Sequence, residues 1–380
     1  MRRFHLSRKA RGVSMILFVA LLPVVAGMMS VGVDFAVVAT AEAQLGAAAD
    51  AGALAGANTL ANEATLSTTF NGWGGLMSQA ANSAQTYAQD NNILNQQPVF
   101  LPNAANSPGG DIVVGYVNPA TNTWYPPPGF MGQYNSVMVN VSRNAQHGGV
   151  VPGFFSRILG FHGSSITAQS IGTVVNDQVL GFSPSATQNA SLLPIVLDTN
   201  TYQLMIENET TDQYTYNASQ GTVTSGPDGV YESVLYPVSN NDPGNWGTIK
   251  VNTSNNSTAT LVNQIENGIN LSSSIQLDST TGTYTFSGNP GISAGIKGAL
   301  ESIIGQPRVI PIYTSTSGNG NNATYTVNQF AVVRIVAVNF QGNPKYVIVQ
   351  PALTRDPNII RGGPQTTWSA GGYVHVYLSH

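Results

Sequence analysis

The side chains that most often carry chemistry are few in this chain and are not grouped. The sequence holds no cysteine, which excludes thiol catalysis, disulfides and thiolate metal sites. No two histidines form an H-x-x-x-H pair, and none stands beside an acid at ligand spacing. Neither a G-x-S-x-G elbow nor a G-x-x-x-x-G-K-[ST] phosphate loop is present. The sequence therefore predicts no cofactor and no metal site. The histidines are His5, His147, His162, His375 and His380.

Three acids lie close together after residues 193–206, which the pattern predicts as a strand. If that strand continued, Glu207 and Glu209 would both lie on one of its faces, next to Asp212. An acid–base pair needs one carboxyl held protonated by its surroundings. A solvated sheet edge explains this spacing more simply, so a non-catalytic protein is favoured over an extracytoplasmic hydrolase.

Composition and charge narrow the class of protein further. Only 8% of the 380 residues are charged, and Gly, Asn, Ser and Thr are abundant, which favours a β-rich extracytoplasmic protein. From residue 41 onward there are 17 acids and 9 bases, so the folded part carries no basic stripe and no nucleic-acid partner is predicted. The first 11 residues are basic by contrast, through Arg2, Arg3, Arg8, Lys9 and Arg11.

An uncharged run directly follows this basic segment. Gly12 to Val33 contains 22 residues without a charge, and at about 1.5 Å per residue a helix of this length crosses the hydrocarbon layer. The positive-inside rule keeps the preceding bases in the cytoplasm. We therefore expect a cytoplasmic segment at 1–11, a single transmembrane helix at 12–34 in the lipid bilayer, and the remaining chain outside the cytoplasm.

A cleaved signal peptide is the competing interpretation of the same segment. Ala39-Thr40-Ala41 and Ala41-Glu42-Ala43 both resemble A-x-A cleavage sites. Against cleavage, the apolar run exceeds the usual 7–15 residues of a signal, and the candidate sites lie in an Ala-rich stretch without proline that is typical of continuous helix. A retained helix is favoured.

Four residues of the helix are candidates for special roles. Pro23 removes a backbone donor and predicts a kink, although membrane helices tolerate proline. Asp34 follows the apolar run and is expected at the outer interface, with pairing to a partner helix as the alternative. Gly52 and Gly56 form a GxxxG motif that allows close helix packing, either with a partner helix or with the chain's own domain.

Residues 11–57 resemble a known family. The segment RGVSMILFVALLPVVAGMMSVGVDFAVVATAEAQLGAAADAGALAGA is similar to the TadG-like N-terminal domain of the TadE/TadG-like Flp pilus-assembly proteins. Weaker similarity extends to about residue 175, through NSVMVNV, VPGFFSRILG and SITA, which resemble a strand, a short Phe-rich helix and a closing strand. The resemblance implies an inner-membrane pilus-assembly protein with a long pilin-like helix.

Two expected family features are missing. Prepilin peptidase substrates carry glutamate five residues after the cleavage-site glycine, but Leu17 occupies that place after Gly12. Some larger members carry an Asp-x-Ser-x-Ser metal site, whereas the nearest string here, Asp198 to Tyr202, lacks both serines. Neither pilin-like processing nor this metal site is predicted.

The whole chain is predicted to be α+β. We expect the transmembrane helix to continue into a pilin-like helix to about residue 62, followed by a small α+β domain and a mostly antiparallel β domain. The Phe330–Val338 run is apolar on both faces, as in a central strand. The predicted boundaries are 35–176 for the TadG-like domain, 177–190 for a linker and 191–380 for the β-rich periplasmic domain.

Two functional hypotheses remain beside the hydrolase. The first is a single-pass protein of the bacterial inner membrane that contacts pilins or other assembly proteins of a Flp pilus or related secretion system, as a homo- or hetero-oligomer through its N-terminal helix. The second is a signal-cleaved, adhesin-like surface binder. No small-molecule substrate is predicted for either.

Overall fold

A long helix begins the computed structural model, which describes residues 9–379 apart from 128–132, 154–156, 158, 159, 161, 236–244, 292, 343, 366 and 367. Ala-rich sequence keeps this helix continuous for 52 residues, because alanine loses almost no side-chain entropy in a helix. A 3-10 turn at Glu63–Leu66 follows it. The helices are α1 (Lys9–Leu60), α2 (Trp73–Gln89), α3 (Thr199–Ile206), α4 (Thr258–Asn267) and α5 (Lys297–Ser302).

Strands dominate the chain after α2. In chain order they are β1 (Ile112–Asn118), β2 (Thr123–Tyr125), β3 (Ser136–Arg143), β4 (Ile166–Phe182), β5 (Ile195–Asp198), β6 (Tyr214–Asn217), β7 (Thr222–Ser225), β8 (Ser233–Leu235), β9 (Trp246–Ile249), β10 (Ile275–Gln276), β11 (Tyr284–Asn289), β12 (Pro307–Ser317), β13 (Ala323–Asn339), β14 (Tyr346–Pro351), β15 (Leu353–Thr354), β16 (Ile359–Pro364) and β17 (Gly372–Ser379).

One sheet joins fifteen of these strands, and β6 with β7 forms a separate hairpin. The main path runs β11-β9-β5-β12-β13-β4-β3-β1-β2. Only β5 with β12 and β15 with β17 pair in parallel among the described strands. The predicted α+β class is therefore confirmed, with a long apolar N-terminal helix and a mostly antiparallel C-terminal part.

Strand β13 separates two hydrophobic cores. Ala331, Val333 and Ile335 face the core that includes α4 and α5. Phe330 and Val332 face the opposite core. This alternation explains why the sequence reads as a continuous apolar run, and the prediction of a central strand is confirmed.

The last strand returns to the first part of the chain. Residues 373–379 of β17 pair with residues 171–177 of β4, whose other edge pairs with β3. Val374 thereby joins the core beneath α1. Strand β4 crosses residue 176 without a break and ends at Phe182, within the expected linker. The limits 35–176, 177–190 and 191–380 stay a prediction.

One predicted strand is wrong at its end. Residues 193–206 contain the short β5 and then α3. Asp198 caps α3 by accepting hydrogen bonds from the backbone N–H groups of Asn200 and Thr201, both at 3.0 Å. Glu207 follows the helix, so Glu207 and Glu209 do not lie on a strand, and that expectation is wrong.

Candidate functional site

The first half of α1 is an exposed apolar surface. Met15 and Ile16 are each 72% exposed, and Phe35, where the apolar segment meets the domain, is 75% exposed. By length and composition this helix suffices to cross a membrane; its most apolar window has a mean hydropathy of 2.4, and none of that window is buried. An apolar surface of this size is unusual on a soluble monomer and indicates contact with lipid or protein.

The second half of α1 is embedded in the domain. Its buried positions recur every three or four residues, which places them on one face of the helix. This face contacts α2, β3, β4 and β17. One helix thus changes from solvent-facing to buried within a few turns. The buried residues are Ala41, Leu45, Ala48, Ala49, Gly52, Ala53, Gly56, Ala57 and Leu60.

Gly52 and Gly56 lie on this embedded face and pack within the chain. A Cβ atom at Gly52 would stand 2.8 Å from the carbonyl oxygen of Ala84 in α2. At Gly56 it would lie 3.0 Å from both Ala84 Cβ and Val137 Cγ1. The GxxxG motif therefore lets α1 pack closely on α2 and β3. Of the two alternatives, a partner helix or the chain's own domain, this contact corresponds to the second.

A third glycine, which the sequence did not single out, also lets α1 pack closely on the domain. A Cβ at Gly172 in β4 would lie 2.1 Å from the carbonyl oxygen of Ala53 in α1. Two residues earlier on β4, the Ser170 hydroxyl donates a hydrogen bond to the Asp50 carboxylate of α1. The glycine thus permits backbone contact between helix and strand, and the serine fixes their register. A glycine inside a predicted strand is the signal that marks such a close approach.

Asp34 lies where the exposed and embedded parts of α1 meet. With Phe35 and Val38 it lines a cavity of about 330 Å³, whose opposite wall includes Val151 and Ser164. Asp34 is half-buried. Between these two wall residues lies the expected Phe-rich helix. Most of it, residues 154–156, 158 and 159, is outside the described residues.

The other predicted helix residues are less informative. Helix α1 continues through Pro23 without interruption. Lys9 and Arg11 lie in its first turn. The remaining topology residues, Arg2, Arg3 and Arg8, lie outside the described part of the chain.

The turn after α1 is held by an ion pair to a buried arginine. Glu63 pairs with Arg334 of β13, whose side chain is 1% exposed. Glu63 also accepts a hydrogen bond from the backbone N–H of Leu353 at 3.1 Å, and the Arg334 guanidinium lies 3.5 Å from the centroid of the Tyr216 ring. Burial raises the pKa of Glu63, while Arg334 and the Leu353 N–H oppose that rise.

Further contacts connect the same region to the C-terminal half. The Trp368 indole N–H donates to the Thr65 hydroxyl at 2.7 Å. The Ser67 hydroxyl donates to the Asp228 carbonyl oxygen at 2.6 Å, and the Thr68 N–H donates to the Gly229 carbonyl oxygen at 2.9 Å. The turn after α1 is therefore clamped between two separate parts of the C-terminal chain.

Two histidines meet acids that are distant in sequence. His147 Nε2 lies 3.0 Å from an Asp111 carboxylate oxygen. His375 Nδ1 lies 3.3 Å from Asp177, where burial raises the pKa of Asp177 and lowers that of His375. Among the described residues, no group of three or more His, Asp or Glu side chains is placed to hold a metal ion.

The fold and this geometry define a protein with one long N-terminal helix. The first half of this helix is apolar and exposed, and its second half packs inside an α+β domain. Residues 34–171 match the family model described as "Putative Tad-like Flp pilus-assembly". The resemblance read from the sequence is confirmed over these residues, which include the region of weaker similarity. No curated protein and no solved structure matches the chain.

Proposed function

We propose that this chain is a single-pass membrane protein that works in the assembly of a Flp pilus or a related secretion system. The observation that carries the proposal is the division of α1 within one helix. Its first half exposes apolar side chains, and its second half is the central element of the region matching the Tad-like model.

In this proposal residues 12–34 cross the bacterial inner membrane. The five bases before them keep the N-terminus cytoplasmic, and the C-terminal domain is periplasmic. Asp34 marks the outer interface, since charged side chains are costly deeper in the bilayer.

The domain acts by binding rather than by catalysis. The exposed part of α1 packs with lipid and with pilins or other membrane proteins of the assembly system, as a homo- or hetero-oligomer. The embedded part is rigidly held at Gly52, Gly56 and Gly172. A partner that binds the periplasmic domain is thereby coupled mechanically to the membrane helix.

A cleaved, adhesin-like protein is the competing function. Both A-x-A sites lie within unbroken helix, and Ala41 is fully buried. Cleavage after Ala43 would make Gln44 the N-terminus, although its side chain accepts a hydrogen bond from the Leu94 N–H at 2.8 Å. Removal of the preceding turns would shorten a helix that the domain is built around, which favours retention.

The role in assembly is tested by deletion and complementation. We expect cells that lack this chain to lose surface pili and the full-length protein to restore them. A chain whose residues 1–38 are replaced by a cleavable signal should reach the periplasm without restoring pili. Full restoration by that secreted form would contradict the membrane-held role.

A further inference from the structure

A cavity lies where the apolar half of α1 meets the rest of the domain, and we call it the interface cavity. Its volume is about 330 Å³, within the range of about 300–1,000 Å³ that is common among small-molecule sites. Its α1 wall consists of residues spaced three or four positions apart, which places them on one face of the helix. These residues are Val31, Asp34, Phe35 and Val38.

The opposite wall of the interface cavity is a narrow bridge of backbone. Val151 and Ser164 pair through two hydrogen bonds between their N–H and C=O groups, at 2.9 and 3.0 Å. Gly153 and Gly163 complete the described part of this wall. A Cβ at Gly163 would stand 2.5 Å from the carbonyl oxygen of Val151, so this position excludes a side chain. Because two of the four described residues lack side chains, the wall leaves space beside α1.

The interface cavity extends from an apolar surface to a polar one. Val31 is 59% exposed and belongs to the uncharged run, and Phe35 is 75% exposed. In the proposed membrane arrangement, Val31 contacts the outer edge of the hydrocarbon layer and Asp34 lies at the interface with water. Ser164 adds a hydroxyl on the domain side. An occupant must therefore be apolar at one end and polar at the other.

Charge selects among such occupants. Among the described residues that line the cavity, Asp34 alone is charged. It lies between Val31 and Val38 on the same face of α1, so its negative charge belongs to the cavity wall. A carboxylate attracts an ammonium group and repels a headgroup with a net negative charge.

We propose, on the basis of the membrane crossing proposed above, that the interface cavity binds one phospholipid of the outer leaflet whose headgroup carries an ammonium group, as in ethanolamine lipids. An acyl chain of this lipid packs on Val31 and Phe35. Its ammonium group lies beside Asp34. The bound lipid thereby fills the space between the membrane helix and the Val151–Ser164 bridge.

A partner transmembrane helix fits this place less well. A base on such a helix could also pair with Asp34, but a helix with its side chains is about 10–12 Å wide and packs along many turns. The cavity spans only residues 31–38 of α1, and the Val151–Ser164 bridge faces them from the other side. A helix that continued out of the membrane beside α1 would meet this bridge, whereas a lipid ends at the interface.

The test uses the full-length chain in detergent micelles and native mass spectrometry, which identifies a bound lipid by its mass. The probe is an equimolar mixture of dioleoyl phosphatidylethanolamine and dioleoyl phosphatidylglycerol, which differ only in the headgroup. We expect the chain to retain one lipid and to prefer the ethanolamine lipid by about fivefold, equivalent to about 1 kcal/mol.

Two pairs of variants locate the bound lipid. Asp34→Asn should remove the preference, whereas Glu42→Gln, which removes an exposed charge of the same helix outside the cavity, should keep it. Ser164→Trp fills the cavity from an exposed position and should prevent retention of either lipid. Ser165→Trp is its matched control, because Ser165 is also exposed and does not line the cavity.

Failure of the wild-type chain to retain a lipid, or equal retention of the two lipids, would overturn the proposal. So would retention that Ser164→Trp leaves unchanged. A lipid-free dimer that Ser164→Trp dissociates would assign the cavity to a second copy of the chain instead. The wild-type measurement requires no variant to fold, and thermal unfolding checks each variant. Thiol labelling on the two sides of α1 tests the membrane crossing separately, so a chain that crosses the membrane and retains no lipid would overturn the lipid site alone.

Discussion

Glu63, which is partly exposed, forms an ion pair with the buried Arg334, and the pair connects the turn after α1 to the middle of β13. Arg334 also donates to the Gly305 carbonyl oxygen at 3.3 Å. Glu63 lies in the region that matches the Tad-like model, whereas Arg334 lies far outside it. The pair therefore joins the turn after α1 to the C-terminal sheet.

Glu63→Ala should lower the free energy of unfolding by about 2–3 kcal/mol, because it leaves the buried Arg334 guanidinium without its carboxylate partner and the Leu353 N–H without its acceptor. Denaturant unfolding of the purified chain measures this loss. The control is Glu301→Ala, which breaks the more exposed pair with Lys297 and should change stability by less than about 0.5 kcal/mol. Equal effects of the two variants would contradict a structural role for the Glu63–Arg334 pair.

Gly52→Ala should destabilise the domain by about 1–3 kcal/mol, because the added methyl group meets the Ala84 carbonyl oxygen at 2.8 Å. Gly46→Ala is the matched control in the same helix, since nothing lies within 4 Å of its added Cβ. It should be neutral or stabilising by up to about 1 kcal/mol. Thermal unfolding compares the two, and a neutral Gly52→Ala would show that α1 and α2 are not closely packed.

Glu232 should give the stability of the chain a distinct pH dependence. Burial raises the pKa of its carboxyl to about 7; the N–H groups of Gln213 and Tyr214 oppose the rise, and Asp212 and Asp228 reinforce it. The folded state then binds more protons than the unfolded state between about pH 4.5 and 7. The free energy of unfolding should therefore fall as pH rises through that window.

Denaturant unfolding at successive pH values measures this fall. Glu232→Gln should flatten the profile between pH 4.5 and 7, whereas Glu209→Gln, at an exposed position, should leave it unchanged. A profile that rises across the window, and that Glu232→Gln leaves unaltered, would contradict the raised pKa.

Local pattern was enough to predict α1 and β13. The Ala-rich run predicted a helix ending near residue 62, close to the observed end at Leu60, and the apolar run at 330–338 predicted a central strand. Local pattern did not predict α3, because the apolar β5 runs directly into this helix of only eight residues, and the two together resemble one strand. An Asp directly before the segment, a preferred N-cap residue, was the available signal.

Long-range features could not be read from local pattern. The pairing of β17 with β4 and the Glu63–Arg334 ion pair join residues hundreds of positions apart, and no periodicity encodes such contacts. Gly52 and Gly56 were found by their spacing, but the partner surface was not, since a small face packs equally well on α2 or on a second chain.

The orientation of α1 in the membrane tests the central claim most directly. The chain lacks cysteine, so Ser7→Cys and Asn58→Cys each introduce a single thiol, before and after the apolar segment. In intact spheroplasts, a membrane-impermeant maleimide should label the Asn58→Cys chain at once and the Ser7→Cys chain only after lysis. The intact mass should include residue 7. Labelling in the opposite order, or a mature chain that begins at Glu42 or Gln44, would contradict the proposed membrane helix.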